Sequence, residues 1–256
     1  MNSTIKSIYL VWLRYFKVFK RSLVYGLVTT FTEPILYLLS FGFGLGALVG
    51  DIKIGDISLS YRQFIFSGIV AQTIMFQGFF EAAYGSFIRM YYQKVFQAIA
   101  VTPVTISEIL WGEIIWDSSK ATFSVSVVLL IGCITKDFSI PGSISILPFC
   151  FLFAMIFSSL GLFVASKAKT IEEISYPQYL FIFPMFLFCG VFFPLETLPK
   201  YLQYIALALP LTSVVSLVRT AILGLPLFIP SIFISLLWLL VIVPVARKSM
   251  KDRLVK

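Results

Sequence analysis

Six apolar runs constrain this chain more than anything else in it, at about residues 22–49, 63–88, 112–134, 144–166, 176–193 and 226–246. The last reads PLFIPSIFISLLWLLVIVPVA and carries no charge. A helix climbs about 1.5 Å per residue, so about 20 residues of this kind cross a hydrocarbon core about 30 Å thick. In lipid the backbone polar groups must be satisfied within the segment, which makes helix the form such a run takes. Six runs and their short connections consume most of the 256 residues. The expected fold is an all-α integral membrane protein, one domain over 1–256 with six transmembrane helices, and no soluble catalytic domain has room to exist.

Composition narrows the chemistry. Hydrophobic residues make up 59% of the chain and charged ones 12%, against about 25% charged in soluble domains. The net charge of +8 is spread in short clusters beside the apolar runs, with no continuous basic face, so nucleic acid is not an expected partner. Histidine is absent, and Cys133, Cys150 and Cys189 lie singly inside apolar runs. Reduced thiols are expected, with neither a disulfide framework nor a zinc site. The sequence contains no G-x-S-x-G, H-E-x-x-H or G-x-x-x-x-G-K-[ST] pattern, so no catalytic, cofactor-binding or metal-binding residue is assigned. GFGLGA (42–47) approaches a dinucleotide fingerprint but sits inside an apolar run, without the strand, turn and helix that motif needs. Without a P-loop, any nucleotide that powers this protein binds to another chain.

Before the first run, Ile5, Ile8, Tyr9, Trp12, Leu13, Phe16 and Phe19 recur at helical spacing, while Lys6, Arg14, Lys17, Lys20 and Arg21 fall largely elsewhere on the wheel. This predicts an interfacial helix over 1–21 rather than a cleaved signal, because the apolar run continues to about Gly50 instead of ending in a small-residue site. With the N-terminus inside, one side receives Lys6, Arg14, Lys17, Lys20, Arg21, Arg89, Lys94, Lys167, Lys169, Arg247, Lys248, Lys251, Arg253 and Lys256. The other receives Lys53, Arg62, Lys136, Lys200 and Arg219. The bias predicts N-in, C-in. Between the fifth and sixth runs, Pro194, Pro199 and Pro210 cut an apolar stretch into pieces too short to cross, so 194–224 is expected to form two re-entrant half-helices, about 200–209 and 212–223.

Glu33, Glu81, Asp117, Lys120 and Arg219 lie in or near apolar runs, where each costs about 2.5–3.5 kcal/mol at a helix centre unless paired or solvated. Asp117 and Lys120 are three apart on one helix face and are expected to form an intramembrane charge pair. A proton relay through Glu33, Glu81 and Asp117 would instead make the chain a secondary transporter, but no internal repeat supports that. Gly42, Gly46 and Gly50 recur every fourth residue and predict close helix packing. Tyr91, Tyr92, Phe96 and Ile99 give the connection after the second run a partly apolar face, and Pro103 stops it from continuing into the third. That face suits a protein partner or an aromatic anchor at the lipid headgroups.

Three stretches resemble the membrane subunits of ABC type-2 exporters, in the branch of nodulation-factor (lipooligosaccharide) and daunorubicin-type drug export permeases. They are the basic amphipathic start followed by EPILYLLSFGFGLG (33–46), KVFQAIAVTPVTISEILWGEIIW (94–116), and GVFFPLETLPKYLQYIALALPLTSVVSLVRTAILG (190–224). The resemblance covers the whole chain. It implies an inner-membrane permease, a homodimer or a dimer with a paralogue, resting on two copies of an ATPase that binds ATP and Mg. It also implies a coupling helix at 91–103 that docks the ATPase through Tyr92, Phe96, Gln97, Ile99, Ala100, Thr102 and Pro103. Phe181, Phe188, Phe192, Phe193 and Arg219 would line or gate the path. The implied substrate is amphipathic, a lipid-linked saccharide or lipooligosaccharide, with a hydrophobic drug as the alternative.

Overall fold

The computed structural model describes residues 3–21, 23–47, 49–54 and 57–254; Lys256 and the side chain of Lys53, both counted in the charge bias, lie outside the described residues. The chain is mostly helical. Helix α1 (Ser3–Arg21) lies against α5, and α2 (Leu23–Tyr37) continues through a π turn at Leu38–Gly44 and a 3-10 turn at Leu45–Ala47. A short antiparallel hairpin of β1 (Ile52–Ile54) and β2 (Ile57–Leu59) follows, pairing Ile52 with Leu59 and Ile54 with Ile57. The hairpin departs from the all-α expectation: alternating Ile and Leu fit a pleated ribbon, and the segment is too short to nucleate a helix.

Ser60 then starts α3 (Tyr61–Phe80) with a capping box, its Oγ accepting from the Gln63 amide and its own amide donating to Gln63 Oε1, both at 3.3 Å. The rod runs on through π turns at Glu81–Gly85 and Ile88–Tyr92, 32 residues in all. It forms the centre of the molecule, packed by α5, α6 and α10, with Phe64, Ile65, Phe66, Ile69, Ile74 and Met75 fully buried. A six-residue helix, α4 (Val95–Ala100), links it to α5 (Ile106–Ile134), which opens on a second capping box between Thr105 and Glu108. At 29 residues and about 1.5 Å each, α5 is about 43 Å long, longer than the hydrocarbon core it would cross.

Helix α6 (Ile140–Lys167) returns antiparallel beside it, and α7 (Ser175–Pro177), a π turn at Gln178–Ile182 and α8 (Phe183–Phe188) follow. The proline-rich stretch folds as α9 (Lys200–Ala208) and α10 (Pro210–Leu223), bent by 84° at Leu209, where Pro210 removes an amide donor and starts the second helix. Gly224, at φ 71°, ends α10, and α11 (Ile229–Leu254) closes the fold.

Among the described residues, four helices are long and apolar enough to cross a bilayer, 61–92, α5, α6 and α11, and the bent pair α9 and α10 makes a fifth candidate. The first and fifth apolar runs are helical over 23–47 and 175–188, each carrying a π turn, and Pro177 and Pro184 remove amide donors from the second. Close approach is built at several glycines, with Gly68, Gly142 and Gly161 set against the backbone of neighbouring segments, and two more position the N-terminal helices. A Cβ on Gly42 would strike the ring of Phe66, and one on Gly112 would lie 2.5 Å from Val11 Cγ1, where α1 presses on α5. Gly50 has nothing within 4 Å, so the every-fourth-residue stripe is not one continuous contact.

Candidate functional site

At one end of the bundle a charged cluster joins three helices. Glu81 and Arg89 come from the π-bulged part of the central rod, Glu113, Asp117 and Lys120 from one face of α5, and Tyr15 from α1. Arg89 is the hub: its Nε donates to Glu113 Oε1 at 2.7 Å, Nη1 to Glu81 Oε1 at 3.0 Å, and Nη2 to Asp117 Oδ1 at 3.1 Å. Ser86 Oγ donates to the same Glu113 oxygen at 2.7 Å, and Lys120 Nζ meets Glu81 Oε2 at 2.5 Å. The Arg89 guanidinium also stacks 5.1 Å from the Tyr15 ring centroid. Burial first, then the Glu113 carboxylate, pushes the Tyr15 hydroxyl well above the usual phenol range, so it stays protonated.

The expected pairing of Asp117 with Lys120 is therefore corrected: each finds its cation or carboxylate on the neighbouring rod, Asp117 with Arg89 and Lys120 with Glu81. The π turn explains why. One inserted residue makes the eight-residue spacing of Glu81 and Arg89 act as seven, leaving the two about 20° apart around the axis and aimed together at α5. Glu113, fully buried and the closest partner of Arg89, is absent from the sequence-based set. Its four-residue spacing from Asp117 was the available signal. Glu33 lies apart on α2 and makes no ion pair among the described residues, so Glu33, Glu81 and Asp117 do not form a chain.

Beyond the cluster the chain turns sharply at Lys94 (φ 51°) into α4. Tyr92, Gln97, Ala100, Thr102 and Pro103 are exposed, and Val101, 87% exposed, is the tip of the turn. Ile99 is half-buried, and its carbonyl accepts from the amide and hydroxyl of Thr102 at 2.9 and 2.6 Å. Phe96 is a correction: it is 1% exposed and belongs to the core, because a short helix anchored at both ends turns its largest apolar side chain inward. It is not available to a docking partner. Near the same end Arg247 donates to Ser107 Oγ and covers the Trp111 ring, while Arg253 donates to the carbonyls of Ala165 and Ala168. The ends of α6 and α11 and the start of α5 therefore gather there.

The opposite end is tied by Arg62 to Asp137 at 2.8 Å and by Ser139 to the Ile222 carbonyl. There Phe192 packs on Phe41 and Phe186, at centroid distances of 5.0 and 4.8 Å, joining the α2 segment to α8. Phe181 and Phe193 are half-buried and Phe188 is exposed. Arg219 lies on α10 with its guanidinium 3.8 Å from the Phe64 ring centroid. It donates to Ser67 Oγ, the Phe64 carbonyl and the Val191 carbonyl at 3.1, 3.3 and 3.4 Å. It borders a cavity of about 370 Å³ between α9, α10 and the start of α11. Among the described residues, no group of three His, Cys, Asp or Glu side chains is placed to hold a metal ion.

Comparison with known proteins adds a second line of evidence. A family model described as ABC-2 type transporter matches residues 6–223. Nodulation protein J of Sinorhizobium fredii is 30% identical over 234 residues, covering 91% of this chain and 88% of that protein. Nodulation protein J of Rhizobium meliloti shows the same identity and coverage. Inner membrane transport permease YadH of Escherichia coli is 26% identical over 214 residues, 84% of this chain and 82% of that protein.

Proposed function

The chain belongs to the ABC-2 type transporter family, and on that premise we propose that it is the permease subunit of an exporter powered by two copies of a separate ATPase. It is a multi-pass protein of the inner membrane, a transport subunit rather than an enzyme. The single observation that carries the coupling is the turn at 97–103, whose Gln97, Ala100, Val101, Thr102 and Pro103 project from the bundle with an apolar tip, in a chain without a P-loop. Ala100 and Val101, followed by Thr102 and Pro103, present a small apolar knob that suits a protein cleft. ATP and Mg belong to the partner.

In this reading the membrane is crossed six times, at about 22–49, 61–92, 106–134, 140–167, 176–193 and 229–246, with both termini inside, and 194–224 forms the outer re-entrant segment. The gathering of Lys94, Arg247, Lys248, Lys251 and Arg253 around one end supports that orientation. Two such subunits, identical or paralogous, would enclose the path, with Phe181, Phe188, Phe192 and Phe193 on or near it. The substrate is an amphipathic molecule. The likeness to the two nodulation proteins favours a lipooligosaccharide or lipid-linked saccharide over a hydrophobic drug. A proton-coupled carrier is disfavoured because Glu81, Glu113 and Asp117 are held by Arg89 and Lys120.

Affinity purification of the tagged permease from its native membrane tests the coupling. The expected result is that a P-loop ATPase accompanies the wild-type chain and is lost from Val101→Asp, with unchanged permease yield. Equal ATPase recovery with both would overturn the assignment of 97–103 as the docking turn.

A further inference from the structure

Arg219 is 8% exposed and has no carboxylate within ion-pair distance among the described residues, unlike Arg62, Arg89 and Lys120. Its hydrogen-bond and ring contacts are neutral, one hydroxyl, two backbone carbonyls and the face of Phe64, while Glu196 on the same cavity acts on it without forming an ion pair. Among the described residues these use only Nε and Nη2, so the guanidinium borders the cavity with the donor capacity of Nη1 unspent. A buried cation in an apolar bundle is costly unless something neutralises it. Ring and carbonyl dipoles and the Glu196 carboxylate do part of this, and the cavity leaves room for an anion beside the guanidinium.

We propose that this cavity binds the phosphodiester of an amphipathic molecule, with the phosphate on Arg219. The walls fit both halves of such a ligand. Gln203, Ser216 and Thr220 supply polar contacts around the head, and Leu225 and Phe228 lead to Ile229, Ile232 and Phe233, which are exposed along α11 and can carry acyl chains. Glu196 lies on the same cavity and is exposed. Its charge disfavours a second negative charge on the ligand, so a phosphodiester with an amine or hydroxyl beyond the phosphate fits better than a phosphate monoester. About 370 Å³ accommodates such a head but not a long saccharide. The inference rests on reading the chain as a membrane permease, but it concerns the permease alone.

The test uses the purified full-length chain without its ATPase, so that it fails or succeeds independently of transport. Native mass spectrometry would measure retention of phosphatidylethanolamine, phosphatidic acid and diacylglycerol in detergent. The expected order is phosphatidylethanolamine first, phosphatidic acid second and diacylglycerol last, with binding about tenfold weaker in Arg219→Gln, as for loss of a charge-assisted hydrogen bond. Ser216→Leu fills the cavity while leaving the contacts of Arg219 in place. It should lose the lipid equally at unchanged thermal stability, which keeps the test valid if Arg219→Gln folds poorly. Competition by soluble glycerophosphoethanolamine identifies a site that takes the head group alone; no competition identifies one that needs the acyl chains. Equal retention by wild type and Ser216→Leu, or no preference for phosphatidylethanolamine over diacylglycerol, would overturn the proposal.

Discussion

Arg89 and Arg219 are both arginines inside a helical bundle, and the fold treats them in opposite ways. Arg89 meets three carboxylates from two helices, and its pairing with Glu113 and Asp117 holds α5 against the central rod. Arg219 meets one hydroxyl, two carbonyls and an aromatic face, and borders open space. Carboxylates neutralise the Arg89 cation within the fold and so take up its capacity to pair with an anion, although Glu113 Oε2 and Asp117 Oδ2 are left without a hydrogen-bond partner. A cation held by neutral dipoles keeps that capacity. The end of the molecule that carries Arg89 is accordingly fastened by ion pairs, and at the other end Arg219 faces a cavity with its charge unpaired.

Replacing the hub should have the largest effect. Arg89→Gln leaves Glu113 and Asp117, both buried, without their cation, a loss of about 3–5 kcal/mol, read as a drop in thermal unfolding temperature of the purified chain. The double change Arg89→Gln with Glu113→Gln should recover part of it, and an unshifted melting curve for the single variant would mean that the cluster fastens nothing. Gly112→Val comes next, at about 1–3 kcal/mol for overpacking, because it drives α1 away from α5 and lifts Tyr15 off Arg89. Cross-linking between cysteines placed on α1 and α5 should fall in parallel.

Arg219→Gln should cost less than Arg89→Gln, about 1–2 kcal/mol for the lost ring and hydrogen-bond contacts, since no buried carboxylate is left behind. A larger loss than at Arg89 would erase the contrast. Smallest of all, Val101→Asp should change stability by less than about 0.5 kcal/mol, as exposed sites do, and yet abolish stimulation of the partner's ATP hydrolysis. A stability loss there would place the tip inside the fold.

Much of this architecture is legible in the residues. The wheel of Trp12, Phe16 and Phe19 against basic side chains marks α1, Pro210 marks the 84° bend, and the long apolar runs mark the rods. What escapes has physical causes. No sequence period announces a π turn, so Glu81 and Arg89, eight apart, do not read as neighbours, and Asp117 and Lys120, three apart, do. Phe96 reads as an outward anchor because six residues are too few for periodicity to tell the faces apart. The α2 segment and the fifth run carry π turns at Leu38–Gly44 and Gln178–Ile182 that no residue pattern foretells, and Pro177 and Pro184 remove amide donors from the second.

The two π turns of the central rod also set how it tolerates insertion and deletion. Each holds one residue more than an α-helix would, so deleting a residue at Ala83 would turn the first into regular α-helix and leave Glu81 and Arg89, then seven apart, still about 20° apart around the axis. Arg89 would keep its aim at the carboxylates of α5 while the π turn disappeared. In this helix the bulge absorbs residue count without changing aim, so natural relatives that lose one residue between Glu81 and Arg89 could keep the facing surface of α5 unchanged.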